Sequence, residues 1–408
     1  MKNDNTDGIK QSSFNIGTLG HIDHGKTSLV RALTNVWADK HSESLKRNMT
    51  IKLGYADMII RKCSGCEGSS AYTTMEKCPS CGTESKPLMR VSVLDAPGHE
   101  TLMATAIAEA NIINGLLFVI AANEPCPMQQ TKEHLMVINL LGIKNVLIIQ
   151  SKIDIVGKAG AIESYNQIKK FVKGSVIEDA PIIPVMTNYG INIDVVLDKI
   201  ANMPKPDFDP NASPKMYVAR SFDINRPGIE ASDMSGGVIG GTLISGRLKV
   251  GDEIEIMPGI LVQGQKKNVY KPIVTVITGI NNGADDMDEA LPGGLIGLST
   301  EIDPSFTKAD GLVGNIAGRK GELPESLSKI TMKYHKLNRG DLQEGAMSNG
   351  EALILSVGTA TVVGFVKSVK RDNVELELKK SVPIEKGLKI AIMRNISQRW
   401  RLTGYGIF

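Results

Sequence analysis

Residues 20–27 read GHIDHGKT and fit the pattern G-x-x-x-x-G-K-[ST] of a phosphate-binding loop. They follow an apolar run at residues 14–19 and open a helical pattern that extends from Lys26 to about residue 36. Glycines let backbone N–H groups wrap phosphates, a lysine reaches the outer phosphates, and a hydroxyl can ligate Mg²⁺. The stretch therefore predicts a nucleotide-binding loop and assigns Thr27 to Mg²⁺. Its predicted nucleotide-binding residues are Asp23, His24, Gly25, Lys26, Thr27 and Ser28.

The pattern of apolar, proline and glycine residues along the rest of the chain predicts its domains. Strand-like apolar runs at residues 14–19, 91–94, 115–121, 146–149 and 182–185 alternate with helical patterns, which is typical of an α/β domain with a mostly parallel sheet. Four prolines in residues 203–214 (MPKPDFDPNASP) indicate an extended linker. The Gly-, Val- and Ile-rich sequence that follows is typical of β-barrels, with a second break at residues 318–325. We expect an α/β P-loop domain at residues 1–205 and two β-barrel domains at residues 206–320 and 321–408.

The net charge and the length of the apolar runs bear on whether the chain binds nucleic acid or a membrane. The chain has 408 residues, with 47 Lys and Arg against 44 Asp and Glu, a net charge of +3. That excess is too small to indicate a nucleic-acid or membrane surface by itself, so an RNA contact would be a local patch. Residues 1–11 are polar, and no apolar run reaches the length of about eighteen residues that a membrane span needs. We expect a cytoplasmic protein with no membrane partner.

Four of the five cysteines form two CxxC pairs, Cys63 with Cys66 and Cys78 with Cys81, separated by eleven residues. This spacing predicts a structural zinc knuckle inserted at residues 63–81, because each pair can hold one side of a tetrahedral ion. Buried free thiols, or a site that takes another metal, are the alternatives. Cys126 stands apart from the cluster and is given no role.

A second motif, residues 95–99 (DAPGH), follows the strand-like run at residues 91–94. Asp95 would then lie at the carboxyl end of a buried strand, where α/β sheets bind ligands, and would hold Mg²⁺ through water. Gly98 could present its N–H to a γ-phosphate, and His99 would be the catalytic residue that places the attacking water. Thr50 is a further candidate Mg²⁺ ligand.

A third motif, residues 151–154 (SKID), follows the run at residues 146–149 and carries the prediction for base recognition. Asp154 could accept hydrogen bonds from guanine N1–H and the 2-amino group, which adenine does not offer in that arrangement. Lys152 could lay its aliphatic stem over the base. The predicted nucleotide cofactors are therefore GTP and GDP.

Together, GHIDHGKT, DAPGHE and SKID resemble the G domain of translational GTPases, the group that contains elongation factor Tu. A narrower resemblance is to initiation factor 2 γ of eukaryotes and archaea. It is carried by residues 46–57 (KRNMTIKLGYAD), the four-cysteine insert, residues 118–124 (FVIAANE), residues 221–228 (SFDINRPG) and residues 399–402 (RWRL).

The resemblance implies a GTP-hydrolysing switch that uses Mg²⁺ and delivers methionyl initiator tRNA to the small ribosomal subunit. It also implies assembly with α and β subunits and the action of GTPase-activating and exchange factors. Lys52 and Tyr55 become candidate contacts to the aminoacylated tRNA end. Ser151 and residues 186–188, which are Met186, Thr187 and Asn188, would complete the nucleotide site.

Three segments depart from the family pattern, at four residues. Ser151 stands where the family has Asn, Met186 and Thr187 stand where it has Ser and Ala, and Asn48 replaces a glycine. These departures predict weaker nucleotide binding, and they leave open a scaffold subunit that binds nucleotide poorly. An elongation factor for ordinary or selenocysteinyl tRNA is the other alternative. Arg394, Arg399 and Arg401 beside Trp400 would either contact RNA or form a solvated basic face.

Overall fold

The computed structural model describes residues 9–35, 54–95, 104, 107–108, 110–226, 228–263, 269–337, 339, 342 and 345–408. The chain divides into two compact units, one of Met1–Ala106 with Ile113–Asp207 and one of Ile107–Ile112 with Phe208–Phe408. Within the described ranges, no helix is both long enough and apolar enough to cross a membrane. Several predicted site residues lie outside those ranges, namely Thr50, Lys52, Gly98 and His99 together with Asn48.

The first unit is built on a seven-stranded sheet in the order β3-β2-β4-β1-β5-β6-β7. Strand β1 pairs in parallel with β4 and β5, and β5-β6-β7 continue in parallel, whereas β2 is antiparallel to both β3 and β4. The strands are β1 Asn15–Leu19, β2 Gly54–Cys63, β3 Tyr72–Thr73, β4 Ser85–Asp95, β5 Gly115–Ala121, β6 Val146–Ser151 and β7 Ile182–Pro184.

Helices cover both faces of this sheet. Alternate residues of β5 enter two different cores: Leu117 and Val119 join one cluster, and Leu116 and Phe118 join the other. A strand buried on both faces is expected where helices pack on each side of a parallel sheet. The predicted mostly parallel α/β fold is therefore confirmed. The helices are α1 Lys26–Thr34, α2 Gln129–Leu141, α3 Ile153–Val172, interrupted at Gly157, and α4 Ile193–Ala201.

The antiparallel pair β2 and β4 carries the four-cysteine segment. Along β2, buried positions alternate with more exposed ones, as in a strand whose two faces meet different surroundings. The pairing runs from Gly54 opposite Asp95 to Cys63 opposite Ser85. One end of this hairpin therefore lies at Asp95, and the cysteine segment extends from the other.

The second unit begins with a six-stranded barrel in the ring order β11-β16-β8-β9-β15-β12, closed because β11 also pairs with β12. Its core contains Met216, Ile239, Ile254 and Leu298. The elements are β8 Lys215–Phe222, β9 Val238–Ser245, β10 Leu248–Lys249, β11 Glu253–Val262, β12 Val269–Asn281, β13 Asp286–Met287, β14 Glu289–Ala290, β15 Ile296–Thr300, α5 Pro304–Thr307 and β16 Ile316–Arg319.

A second closed barrel follows, in the ring order β17-β20-β19-β18-β21-β22. The two barrels of this unit are joined by an ion pair between Lys215 and Glu385, and the Thr359 hydroxyl donates to the Val218 carbonyl at 3.1 Å. The predicted pair of β-barrels is confirmed. The strands are β17 Ser326–Lys336, β18 Ala352–Val357, β19 Ala360–Lys370, β20 Asn373–Pro383, β21 Lys389–Ile396 and β22 Arg399–Ile407.

Two of the three arginines in the predicted basic group near the end of the chain are buried. Arg394 is buried, and its Nε and Nη2 lie 2.6 and 2.9 Å from the two carboxylate oxygens of Glu351. Arg401 is also buried. The reading as a solvated basic surface is therefore wrong for these two arginines, whereas Arg399 is exposed.

Candidate functional site

The loop between β1 and α1 has the geometry of a phosphate cradle. Gly25 precedes the first residue of α1 with φ 89°, a left-handed conformation that favours glycine. The N-terminal amides of a helix have no partner within the helix, and the helix dipole adds partial positive charge there. The loop therefore ends at a helix terminus suited to an anion.

The side chain of Lys26 reaches back to the first residues of this loop. Its Nζ donates to the carbonyls of Gly20 at 2.9 Å and His21 at 2.7 Å, and its side chain is only 7% exposed. Burial lowers the pKa of Lys26 to about 8, and nearby Asp95 opposes that shift. An anion on the loop would supply the counter-charge that this ammonium lacks among its hydrogen-bond partners.

Asp95, at the carboxyl end of β4, connects two hydroxyls. Its Oδ2 accepts from Thr27 Oγ1 at 2.7 Å, and its Oδ1 accepts from Thr18 Oγ1 at 2.9 Å. The carboxylate is fully buried. Hydroxyl and carboxylate oxygens are the ligands that Mg²⁺ prefers, so the predicted pair of Thr27 and Asp95 is placed side by side with suitable chemistry.

The loop is also braced from the neighbouring strands. The Ser151 hydroxyl, at the end of β6, donates to the His24 carbonyl at 2.6 Å. The His24 ring is buried, with Nδ1 3.1 Å from the Val119 carbonyl and Nε2 3.2 Å from Glu124 Oε2. Ser151 thus contacts the phosphate loop although it replaces the amide of the family pattern.

The two segments predicted for the base follow adjacent strands. Strands β6 and β7 are parallel with Gln150 opposite Pro184, so Asp154 in the first turn of α3 and Met186 after β7 come to the same sheet edge. Both line one cavity of about 480 Å³, together with Ile153. Asp154 is exposed, and Lys152 precedes α3 in a left-handed conformation with φ 56°.

The second base segment closes on itself. Met186 pairs with Ile191 through hydrogen bonds of 3.3 and 3.2 Å, and Thr187–Tyr189 forms a 3₁₀ turn between them. Thr187 is half-buried and Asn188 is exposed. The loop can therefore present its backbone and the Asn188 side chain to a ligand at the edge it shares with Asp154.

Tyr55 lies on β2 opposite Leu94, one residue before Asp95 in the register, and is 47% exposed. The structure therefore brings Asp23 to Ser28, Asp95, Ser151, Lys152, Asp154 and Met186 to Asn188 to the carboxyl edge of the sheet, with Tyr55 near the same end of the β2–β4 pair.

Sequence reasoning missed Thr18 and Glu124, which hold Asp95 and His24 in place. Thr18 had a local signal, because it is a hydroxyl residue in the strand that leads into the phosphate loop. Glu124 had none beyond its place in the segment FVIAANE, since its partner lies one hundred residues away.

The four cysteines converge as predicted. Their Sγ atoms all lie within 4.8 Å of one another, with Cys63 and Cys81 3.4 Å apart and Cys66 and Cys78 3.7 Å apart. A zinc ion bound to four thiolates at about 2.3 Å requires sulfur separations of about 3.8 Å. The donor set and its spacing therefore fit a closed tetrahedral site.

Comparison with known proteins gives three family matches along the chain. Residues 11–206 match the elongation factor Tu GTP binding domain, residues 236–310 match elongation factor Tu domain 2, and residues 328–408 match the C-terminal domain of initiation factor eIF2 gamma. The three matches fall in the α/β unit, the first barrel and the second barrel, in that order.

Elongation factors are among the solved structures with a similar fold. A bacterial selenocysteine-specific elongation factor, EF-Sec, superposes with a TM-score of 0.72 at 23% identity, covering 98% of this chain and 58% of that one. Elongation factor SelB from Methanococcus maripaludis, in complex with the GTP analogue GppNHp, gives a TM-score of 0.72 at 21% identity, covering 98% and 79%. At these identities the likeness concerns the fold alone.

Full-length relatives are much closer in sequence. Translation initiation factor 2 subunit gamma of Methanothermobacter thermautotrophicus is 51% identical over 405 residues, covering 97% of this chain and 99% of the relative. The proteins of the same name from Methanocaldococcus jannaschii and Pyrococcus horikoshii are 50% and 47% identical, with at least 97% of each chain covered. The elongation-factor alternative is thereby disfavoured, and the chain belongs to the family of translation initiation factor 2 subunit gamma.

Proposed function

We propose that this chain is the GTP-driven switch of an initiation factor 2 complex and that it delivers methionyl initiator tRNA to the small ribosomal subunit. Its family makes it a GTP-binding translational GTPase. The observation that supports the proposal best is the junction of the phosphate loop with Asp95, where Lys26, Thr27 and the carboxylate meet at the end of a helix-covered parallel sheet.

In this proposal the phosphates lie on the loop of residues 20–27, with Lys26 as their counter-charge. Thr27 and Asp95 hold Mg²⁺, and Thr50 joins them when the γ-phosphate is present. Bound Mg²⁺ would neutralise charge on the phosphate oxygens. Asp23, His24, Gly25 and Ser28 shape the loop, and Gly98 contributes its backbone N–H to the γ-phosphate.

Guanine would be read by Asp154, whose exposed carboxylate can accept two hydrogen bonds from the base. Lys152 covers the base with its stem, and Ser151 supports the loop from behind. In the loop of residues 186–188, Thr187 and Asn188 would supply backbone N–H groups to the guanine carbonyl, because the Met186 N–H donates to the Ile191 carbonyl. Hydrolysis would use His99, the residue that places the attacking water.

The four cysteines would hold a structural zinc ion. No coordination position is left open for a substrate, so the ion would stabilise the fold and take no part in hydrolysis. The knuckle spans residues 63–81 of a GTP-binding domain at residues 1–205, which the barrel domains at 206–320 and 321–408 follow.

The partners in this proposal are the α and β subunits, methionyl initiator tRNA and the small ribosomal subunit, in the cytoplasm. GTPase-activating and exchange factors would act on the switch. Tyr55, exposed near the Asp95 end of the β2–β4 pair, and Lys52 would contact the aminoacylated end of the tRNA.

The decisive test measures which nucleotides the chain binds, and whether a substitution at Asp154 changes that selectivity. The purified chain with Mg²⁺ should bind GTP and GDP at micromolar concentration or tighter and should reject ATP. In Asp154→Asn, affinity should move from guanine to xanthine nucleotides, because an amide can donate to the carbonyl that xanthine has in place of the 2-amino group. Asp179→Asn, the same change at another exposed carboxylate of this unit, should alter neither affinity.

A folded wild-type chain that binds no guanine nucleotide would refute the switch. It would favour the alternative of a scaffold subunit that acts by holding its partners together.

A further inference from the structure

The turn Gly68–Ala71 connects the cysteine cluster with α4. Cys78 Sγ lies 3.8 Å from the Ser70 carbonyl oxygen, and the Ser69 hydroxyl donates to Asp198 Oδ2 on α4 at 2.8 Å. Two neighbouring residues of one short turn therefore contact the cluster on one side and the helix on the other.

Packing reinforces this connection. Ala71 and Tyr72, which continue from the turn, are 1% and 9% exposed and belong to the same core cluster as Leu197 and Ile200 of α4. The Tyr72 hydroxyl lies 3.5 Å from the Asn202 amide, just after the helix ends. The knuckle is therefore fixed to α4 by apolar burial as well as by hydrogen bonds.

The opposite end of α4 is held directly against the loop predicted to contact the base, residues 186–188, which we call the base loop. Asn192, which caps α4, donates through its side chain to the Pro184 carbonyl at 2.7 Å. The two hydrogen bonds between Met186 and Ile191 close the intervening loop. Since α4 has only nine residues, a shift at its knuckle end is carried to residues 186–192 as a movement of one rigid element.

We propose that the four-cysteine knuckle positions the guanine-reading loop through α4, with Ser69 and Asp198 as the positioning residues. The inference rests on the proposed function, because it takes residues 186–188 as the base loop. Small metal-bound modules fold only when their ligands are gathered, so the knuckle presents the Ser69 hydroxyl to α4 in one fixed place. Guanine affinity then depends on a structure that never contacts the nucleotide.

The test compares two adjacent serines. Ser69→Ala removes the bond to Asp198, whereas Ser70→Ala removes a bond of the same length, 2.8 Å, to the Glu67 carbonyl within the knuckle. We expect Ser69→Ala to weaken GTP and GDP binding equally, by about three- to tenfold, which lies within the range of about two- to thirtyfold over which remote residues modulate coupling. Ser70→Ala should stay within about twofold of wild type, and both should keep the full zinc content of wild type, measured by atomic absorption.

Hydrogen exchange provides a readout that does not involve nucleotide. The Ser69→Ala variant should exchange faster at the amides of Met186 and Ile191, whereas Ser70→Ala should not. Ser69→Thr keeps the hydroxyl and should restore both affinity and protection. Asp198→Ala should weaken binding at least as much, because it also removes the acceptor of a 2.8 Å bond from Asn202, and adding Ser69→Ala to it should change little, because the Ser69 bond is already broken.

The outcomes separate this inference from the function it rests on. Wild type that binds no guanine nucleotide refutes the function itself. Wild type that binds, with Ser69→Ala and Asp198→Ala unchanged, overturns the positioning role and leaves the switch intact. A loss for GTP alone would also overturn it, because the base loop contacts both nucleotides alike.

Discussion

The Ser151 hydroxyl and the His24 carbonyl, 127 residues apart in the chain, are joined by a hydrogen bond of 2.6 Å between the end of β6 and the phosphate loop. Both groups are buried, so the carbonyl has no water to replace this donor. The Ser151 hydroxyl therefore supplies a hydrogen bond to the phosphate loop at the position where the family pattern has an amide.

Ser151→Ala should lower GDP affinity by about 5- to 150-fold, because an unsatisfied buried acceptor costs about 1–3 kcal/mol. The matched control is Ser175→Ala, which removes another 2.6 Å bond of the same unit, from Ser175 to the Val172 carbonyl. Titration with a fluorescent GDP analogue measures both variants. Equal affinities for the two would show that the Ser151 brace is dispensable.

Nucleotide affinity should fall as pH rises from 7.0 to 8.5. Burial lowers the Lys26 pKa to about 8 in the nucleotide-free chain, whereas bound phosphates favour the charged ammonium. The complex therefore holds more protons than the free chain, and binding takes up a proton above pH 8. The protonated fraction of a group with that pKa falls about fourfold over this range, and affinity should fall equally. Calorimetry in buffers of different ionisation enthalpy measures the uptake, and zero uptake at pH 8.5 would contradict the role of Lys26.

Asp95→Asn should raise the Mg²⁺ concentration needed for half-maximal GTP binding by at least about tenfold, because it removes a charged acceptor shared by two hydroxyls. Asp57→Asn is the control: this carboxylate of the same sheet accepts from Ser92 at 2.7 Å, and burial raises its pKa. That variant should melt at a lower temperature with an unchanged Mg²⁺ requirement. A normal Mg²⁺ requirement in Asp95→Asn would remove Asp95 from the metal site.

Cys66→Ser should reduce zinc content well below one ion per chain and lower the melting temperature by at least about 5 °C, since binding of a structural ion contributes to folding. Cys126→Ser should keep both values, because Cys126 lies outside the cluster and burial raises its thiol pKa to about 12. Zinc analysis with scanning calorimetry distinguishes them. Full zinc occupancy in the Cys66 variant would exclude a four-cysteine site.

His99→Ala should slow GTP hydrolysis by at least about a hundredfold and leave GTP affinity within a few-fold, as expected for a residue that acts on the attacking water. Single-turnover hydrolysis and equilibrium binding measure the two effects separately. Parallel losses in both would make His99 a structural residue.

Local patterns predicted most of what surrounds the nucleotide site. The phosphate loop, the strand before it and the two CxxC pairs each consist of residues close in sequence, so their geometry follows from short-range spacing. Strand β5 was predicted with its observed bounds, Gly115–Ala121, because a run buried on both faces is apolar throughout. Lys26 and Thr27 were recognisable for the same local reason.

Contacts between distant segments could not be predicted in this way. Thr18 meets Asp95 only because β1 and β4 are neighbours in the sheet, and the sequence does not specify that order. Strand β2 was missed because its alternating burial gives no continuous apolar run. Arg394 was misread because its partner Glu351 lies 43 residues away, and a charge with an unseen partner resembles a solvated one.

The closure of both barrels has a consequence for recognition. Every strand of the two rings has a neighbouring strand on each side over part of its length, so among the described residues of this unit the strands with a single neighbour are β10, β13 and β14, of two residues each. Where a ring is closed, a partner cannot add a strand of its own, which is a mode of binding that depends on backbone hydrogen bonds more than on side chains. Molecules that bind the barrels must instead be distinguished by side chains and loops, so surface substitutions there can change partner choice without disturbing the fold.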